Sequence, residues 1–237
     1  LLVPFASCSA KLPIYALFTA AFFSKYKALV MISLYLLGIV VGIIAALIMK
    51  KFGFKGNPVP FVLELPNYRM PTAKSVLQLM WEKTKDFVTK AFTIIFISSI
   101  IIWVLESFDW RLNVVSDASN SLLAIIGSFL SPIFKPLGFS DWRISTALIT
   151  GFTAKESVVS TLVILLGGNA NLLLSLFTPF TAYVFLVFTL LYTPCVAAIA
   201  TVKRELGRSW AVTVVVLQCV VAYLVAFLVH FIGLIFL

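Results

Sequence analysis

Long, uninterrupted hydrophobic runs alternate with short basic segments along this chain. Residues 29–49 and 212–229 contain no charged side chain at all. A helix needs about 20 apolar residues to cross a bilayer, so runs of this length are typical of transmembrane helices. The pattern therefore predicts two membrane spans, one near each end of the chain.

Three further hydrophobic stretches are short or interrupted. Residues 12–23 are too few to span alone, residues 144–166 contain Lys155-Glu156 near their centre, and residues 172–200 contain Pro179 and Pro194. Broken backbone is tolerated at membrane depth only where protein or a water-filled cavity covers it. Transporters build their binding sites from such discontinuous helices.

The basic loops give the expected sidedness. Lysine and arginine collect on the cytoplasmic side, which places residues 50–90 and 203–208 in the cytoplasm and the acidic residues 106–117 outside. Two full crossings between the external acidic segment and residues 203–208 would place residues 203–208 outside. We therefore expect one interrupted stretch to re-enter the membrane or to contain an additional crossing. We predict an all-α integral membrane protein, a polytopic helical bundle with discontinuous or re-entrant helices.

Three regions follow from the polarity pattern: residues 1–49, a membrane segment with a cysteine motif; residues 50–90, cytoplasmic; and residues 91–237, a second membrane region. The middle region begins proline-rich and extended. It continues as a helix that begins near Pro71 and lies at the membrane–water interface. Apolar residues recur along this helix at helical spacing: Val76, Leu77, Met80, Phe87 and Val88. We expect residues 122–139, broken by Pro132 and Pro136, to lie on the membrane surface.

Composition supports the membrane assignment. The 237 residues are 62% hydrophobic and only 11% charged, against about 25% charged in soluble domains. The net charge of +9 is explained by cytoplasmic loops, so we expect membrane lipid as a partner and no nucleic acid. The chain has no G-x-x-x-x-G-K-[ST] phosphate loop and one histidine, so we expect it not to be an enzyme. Because it begins Leu1-Leu2, we expect a piece of a longer protein.

The first candidate site is GFTAKESVVST, residues 151–161. Ionisable residues inside a span are costly and functional by default, which singles out Lys155 and Glu156. Gly151 is positioned to break the helix before them. Hydroxyl side chains follow at helical spacing: Thr146, Thr150, Thr153, Ser157, Ser160 and Thr161. This stripe either lines a transport path or joins helices by hydrogen bonds.

The second candidate site consists of two proline-associated cysteines. Cys8 lies in PFASCSAKLPIY, between Ser7 and Ser9, and Lys11 is placed to stabilise its thiolate. Pro4 and Pro13 bracket that motif as helix breaks. In LYTPCVAAIATVKRELG, Pro194 frees a helical carbonyl one turn earlier and Cys195 follows it. Thiolates suit first-row transition metals, but each cysteine could equally be a small packed side chain.

These motifs, with ELPNYRMPT and LGFSDWR, resemble in this order the membrane region of the FeoB family of ferrous iron transporters. The resemblance covers about residues 1–220. It implies a multi-pass protein of a bacterial or archaeal plasma membrane that moves Fe²⁺ into the cytoplasm. It also implies an amino-terminal GTPase domain, with its GTP and Mg²⁺, and an upstream Gate region as partners beyond this chain, which itself has no cofactor. A homo-oligomer is left open.

Within that resemblance, the family's G-F-x-A-K-E falls on Gly151, Phe152, Ala154, Lys155 and Glu156, and its cysteines fall on Cys8 and Cys195. Fe²⁺ would then bind Cys8 and Cys195 transiently. Ser7 and Ser9 would be weaker ligands, Glu156 would offset the charge of the ion, and Lys155 would pair locally or repel it. Two alternatives stay open: a nucleoside transporter of Gate type, and a non-transporting scaffold that docks a GTPase.

Overall fold

The computed structural model describes residues 5, 8–52, 70–111, 113–115, 121–167, 171–193 and 195–236. This part of the chain is built from ten α-helices, with 3₁₀ turns at Ser9–Lys11 and Lys135–Leu137. The helices are α1 (Leu12–Phe22), α2 (Lys27–Phe52), α3 (Ala73–Ser107), α4 (Leu122–Phe134), α5 (Trp142–Thr153), α6 (Ser157–Leu165), α7 (Asn171–Leu176), α8 (Pro179–Leu191), α9 (Val196–Leu206) and α10 (Arg208–Phe236).

Both predicted spans are confirmed as long helices. Lys27–Lys51 of α2 and Arg208–Ile235 of α10 are long and apolar enough to cross a membrane. Their apolar side chains are largely exposed, where lipid rather than water suits them. The all-α membrane fold is therefore as the sequence predicts.

The interrupted stretches break where charge or proline opposes a continuous helix. Residues 144–166 divide into α5 and α6 around Ala154, Lys155 and Glu156. Residues 172–200 divide into α7, α8 and α9. Helix α8 begins with Pro179 in its first turn, capped by the Thr178 hydroxyl, and ends at Leu191, before the segment that carries Pro194.

Gly151 is not the break. It lies inside α5, and the chain leaves the helix at Ala154, which is extended with φ −145° and ψ 128°. The prediction of a break at Gly151 is corrected to three residues later. The glycine is required for space instead, because a Cβ atom there would collide with the Tyr192 hydroxyl and the Val158 side chain.

Helix α3 crosses the boundary drawn from composition at residue 90. It begins after Thr72, whose hydroxyl accepts from the Ser75 amide, and runs unbroken to Ser107. A polar half and an apolar half thus share one helix, since residues 81–100 offer no proline or glycine to end it. Four of the predicted apolar residues on its first half are exposed, namely Val76, Leu77, Met80 and Val88; the Phe87 side chain lies outside the described part.

Helix α4 belongs to the bundle. It packs along α5, and the helical unit Leu122–Leu137 meets α5 at 102°, as in a broken span or re-entrant loop. Gly127 allows the close approach, because a Cβ there would collide with Thr146. Pro132 lies within α4, and Leu123 and Ala124 are buried, which differs from the predicted surface location.

Helix α8 forms the centre of the described bundle. It packs against α1, α2 and α10, and nearly every side chain from Ala182 to Leu191 is buried. Phe185 meets Phe18 of α1 and Phe177, with ring centroids 5.0 and 5.1 Å apart. This aromatic core fixes the position of the α8 carboxyl end, where the candidate site lies.

Candidate functional site

Lys155 lies in the break between α5 and α6 and reaches the carboxyl end of α8. Its side chain is only 3% exposed. The ammonium donates hydrogen bonds to the carbonyl oxygens of Tyr192, at 2.8 Å, and Thr189, at 3.3 Å. It also lies 3.6 Å from the centre of the Tyr192 ring. The cation is therefore held by oxygen atoms and a π face.

These carbonyls are available because α8 ends here. The last four carbonyls of an α-helix lack a partner within the helix, and Thr189 O is one of them. Tyr192 adopts an extended conformation, φ −66° and ψ 161°, that stops the helix and exposes its own carbonyl. The negative end of the helix dipole further favours a cation at this point.

Tyr192 is itself held in place by α5. Its hydroxyl donates to the Leu148 carbonyl at 3.2 Å, and the absence of a side chain at Gly151 makes room for the phenol. Tyr192 and Leu148 are both buried. The break after α5 and the break after α8 are thus joined twice, through Lys155 and through the Tyr192 hydroxyl.

The two cysteines approach the same region from opposite ends of the sequence. Cys8 directly precedes the 3₁₀ turn, and its carbonyl accepts a hydrogen bond from the Lys11 amide at 3.1 Å. Cys195 directly precedes α9 and makes no side-chain hydrogen bond to its first turn. Lys11 and Lys155 lie within electrostatic range of both thiols, and Lys155 is also within range of Cys219. Cys8 is exposed, Cys195 is half-buried and Lys11 is buried.

Lys155 and Glu156 do not act as a local pair. Lys155 is buried in the bundle, whereas Glu156 is exposed, as expected for neighbours that point about 100° apart in a helical turn. Glu156 is therefore accessible at the break beside the buried cation.

The predicted hydroxyl stripe divides into two parts. Thr150 and Thr161 are buried and hydrogen-bond to each other, Oγ1 to Oγ1, at 3.0 Å across α5 and α6. The Thr153 hydroxyl donates to the Thr150 carbonyl at 2.7 Å. Ser157 is half-buried and Ser160 is exposed. The inner part of the stripe therefore joins the two helices.

Comparison with known proteins covers almost the whole chain. Residues 88–209 match the Gate family, described as "Nucleoside recognition", and residues 31–83 match the family described as "Ferrous iron transport protein B C terminus". The Fe(2+) transporter FeoB of Methanocaldococcus jannaschii is 41% identical over 98% of this chain and 36% of the relative.

The chain belongs to the FeoB family. The Fe(2+) transporter FeoB of Staphylococcus aureus strain MSSA476 is 40% identical over the same shares, 98% and 36%. A Porphyromonas gingivalis fusion of Fe(2+) transport protein A with FeoB is 33% identical over 100% of this chain and 34% of the relative. The chain thus spans about 36% of the length of its first FeoB relatives. No solved structure is significantly similar to it.

Part of the predicted FeoB site lies outside the described residues. This applies to Ser7, Pro4 and Pro194, and to the side chain of Ser9. Pro13 is described, and it lies in the first turn of α1, where the 3₁₀ turn runs directly into the helix. Proline is tolerated at this position because its missing N–H has no helical partner to lose.

Sequence reasoning missed two features of this candidate site. One is Tyr192, whose ring and carbonyl both contact Lys155. The other is Cys219 of α10, which interacts with the backbone of Thr193 and with the charge of Lys155. Only the position of Tyr192, two residues before Pro194, hinted at a role. Within the described residues, no three His, Cys, Asp or Glu side chains come together as a metal site.

Proposed function

We propose that this chain forms part of the path by which a FeoB-family transporter moves Fe²⁺ across the plasma membrane into the cytoplasm. The observation that carries the proposal is the joining of two chain breaks: Lys155 of the α5–α6 break bonds to the end of α8, and Cys195 follows that end at the start of α9. Cys8 precedes α1, which packs against both α6 and α8. The relatives named Fe(2+) transporter support the choice of ion.

The chemistry of this group suits a transient ferrous site. Nearby ammonium groups stabilise thiolates, and thiolates bind first-row transition metals better than hard oxygen ligands do. We assign Cys8 and Cys195 as ligands, with Ser7, Ser9 and neighbouring carbonyls as weaker ones. Two thiols and no full cage give weak binding, which an ion needs in order to leave.

Other groups along the break line the path. Glu156 is exposed at the entrance to the break and offsets the charge of the arriving cation. Thr153, Ser157 and Ser160 lie on the same segment and offer hydroxyl oxygens to a partly hydrated ion. The contribution of Thr153 is the smallest of the three, because its hydroxyl already bonds to Thr150.

The rest of the transporter lies in the part of the relatives that this chain does not cover. We assign to that part a GTPase domain, which binds GTP and Mg²⁺, and an upstream Gate region. The long helix α3, with its exposed amino-terminal half, faces the cytoplasm in this arrangement and links the GTPase to the membrane bundle.

A nucleoside transporter is the second candidate, because the matching Gate family is described as "Nucleoside recognition". The two are separated by reconstituting the full-length protein in liposomes and measuring uptake of ⁵⁵Fe²⁺ and of [³H]uridine. We expect GTP-dependent iron uptake without uridine uptake. Uridine uptake without iron uptake would establish the alternative. Binding of the GTPase domain with neither uptake would instead favour a scaffold.

The role of the thiols is tested in the same liposomes. Replacing Cys8 and Cys195 together by serine should abolish most iron uptake. Ser175→Ala is the control, because Ser175 is exposed on α7 and its hydroxyl bonds only to the Leu172 carbonyl of the same helix. Unchanged uptake and metal preference in the double variant would refute the thiol ligands.

A further inference from the structure

The Lys155 ammonium is bound as a free cation would be bound. Its contacts are two carbonyl oxygens and the face of one aromatic ring, the groups that line cation filters and cation-binding cages. Among the residues that the structure describes, no Asp or Glu interacts with this ammonium. A buried lysine is ordinarily paired with an acid, so its solvation by carbonyls needs an explanation.

The surroundings of the ammonium form a cation site on their own. The Thr189 and Tyr192 carbonyls are directed by the end of α8, and the ring is fixed by its hydroxyl bond to Leu148. Next in the chain, the Thr193 hydroxyl is 4% exposed and has no hydrogen-bond partner within the described structure. An unpaired buried oxygen is costly, and this one belongs to the residue that directly follows Tyr192.

The position of Lys155 connects this site to the thiols. The Tyr192 carbonyl that holds the ammonium lies three residues before Cys195 at the start of α9, and α1, which follows Cys8, packs against α6 and α8. A divalent cation at the two thiols would repel the Lys155 ammonium, whose buried side chain is little screened by water. Because Lys155 lies between α5 and α6 rather than inside a helix, withdrawing it need not unwind either helix.

We propose that the Lys155 ammonium is a tethered cation, which occupies a cation site of the transport path and keeps it closed until an arriving cation displaces it. The identity of the arriving ion as Fe²⁺ rests on the function proposed above. The site itself is a site for a monovalent or divalent cation, formed by Thr189 O, Tyr192 O and the Tyr192 ring.

The test uses the full-length protein in liposomes, with Tl⁺ influx followed by quenching of a trapped fluorophore. In the absence of GTP, Lys155→Ala should raise Tl⁺ influx by about tenfold. The variant replaces the ammonium, which repels Tl⁺, by an empty cation site. Lys155→Arg should stay closed. Lys135→Ala, at an exposed lysine, is the matched control and should behave as the wild type.

A second readout does not depend on transport. The apparent melting temperature of Lys155→Ala in detergent should rise with added methylammonium chloride and not with choline chloride, whereas the wild type and Lys135→Ala should respond equally to both. If the alanine variant does not fold, Lys155→Gln takes its place in the influx assay, since its amide can donate to both carbonyls without a charge.

The outcomes separate the two proposals. Methylammonium stabilisation together with Tl⁺ leak supports the tethered cation, even if the wild type proves unable to carry iron. Stabilisation by methylammonium without Tl⁺ leak in Lys155→Ala or Lys155→Gln would show that the site does not lie on the transport path. If methylammonium and choline act alike on a folded Lys155→Ala and influx is unchanged, the proposal is overturned as a whole.

Discussion

The Lys155 ammonium lies 3.6 Å from the centre of the Tyr192 ring and donates a 2.8 Å hydrogen bond to the carbonyl of that same residue. The two residues are 37 positions apart and lie in different breaks of the chain. One pair thus connects the α5–α6 break with the α8–α9 break. A displacement of either break must be accommodated at the other.

The first prediction concerns the two functions of Tyr192. Tyr192→Phe loses only the bond from the hydroxyl to Leu148 and should lower the free energy of unfolding by about 1 kcal/mol. Tyr192→Leu also removes the ring from Lys155 and should cost about 1–2 kcal/mol more. Thermal unfolding of the purified protein in detergent measures both. Equal losses would show that the ring does not stabilise the ammonium.

The second prediction concerns the space at Gly151. A Cβ atom there collides with Tyr192 and Val158, so Gly151→Ala should destabilise the protein by about 1–3 kcal/mol through overpacking. Gly42→Ala is the matched control, since its Cβ would make an ordinary 3.4 Å contact with Phe5. The two apparent melting temperatures are compared. If Gly151→Ala is as stable as Gly42→Ala, the close packing of α5 on Tyr192 is wrong.

The third prediction separates helix contacts from path-lining groups. Thr150 and Thr161 bond to each other inside the bundle, so a double-mutant cycle with valine at both positions should give a coupling free energy of about 0.6 kcal/mol in unfolding experiments. Iron uptake by the double variant should remain at the wild-type level per folded molecule. Loss of uptake without loss of stability would place these hydroxyls on the path instead.

The fourth prediction concerns Glu156. Because its side chain is exposed, Glu156→Gln should leave the melting temperature unchanged. It should raise the KM for Fe²⁺ several-fold, since a unit charge is worth about 1 kcal/mol at about 4 Å where water screens it. Glu205→Gln, in the exposed pair with Arg204, is the control for a general charge effect. A KM equal to that of the wild type would remove Glu156 from the path.

Much of the fold follows from local sequence. Uncharged runs of 18 or more residues predict α2 and α10, because nothing but a membrane helix suits such a run. The break at Lys155-Glu156 follows from the cost of placing charge in a span, and the ends of α8 follow from the prolines on either side of it. These signals act within a few residues and need no knowledge of the tertiary structure.

The partners of Lys155 could not be predicted in this way. A carbonyl at a helix end has no residue type, so neither Thr189 nor the Tyr192 backbone stands out in the sequence. In the sequence, Gly151 resembled a helix breaker. The contact that requires a glycine there is with the Tyr192 hydroxyl, 41 positions further along the chain. The placement of Cys8 and Cys195 likewise depends on how α1 packs on α8 and how α9 packs on α10 and α3.

The central claim is that Cys8 and Cys195 bind the same transported ion. The most direct measurement is a double-mutant cycle on the KM for ⁵⁵Fe²⁺ uptake by the full-length protein, with alanine at each position and at both. Ligands of one ion should be strongly non-additive, so the double variant should be little worse than either single variant. Single variants with unchanged KM, or effects that simply add, would contradict a shared ferrous site.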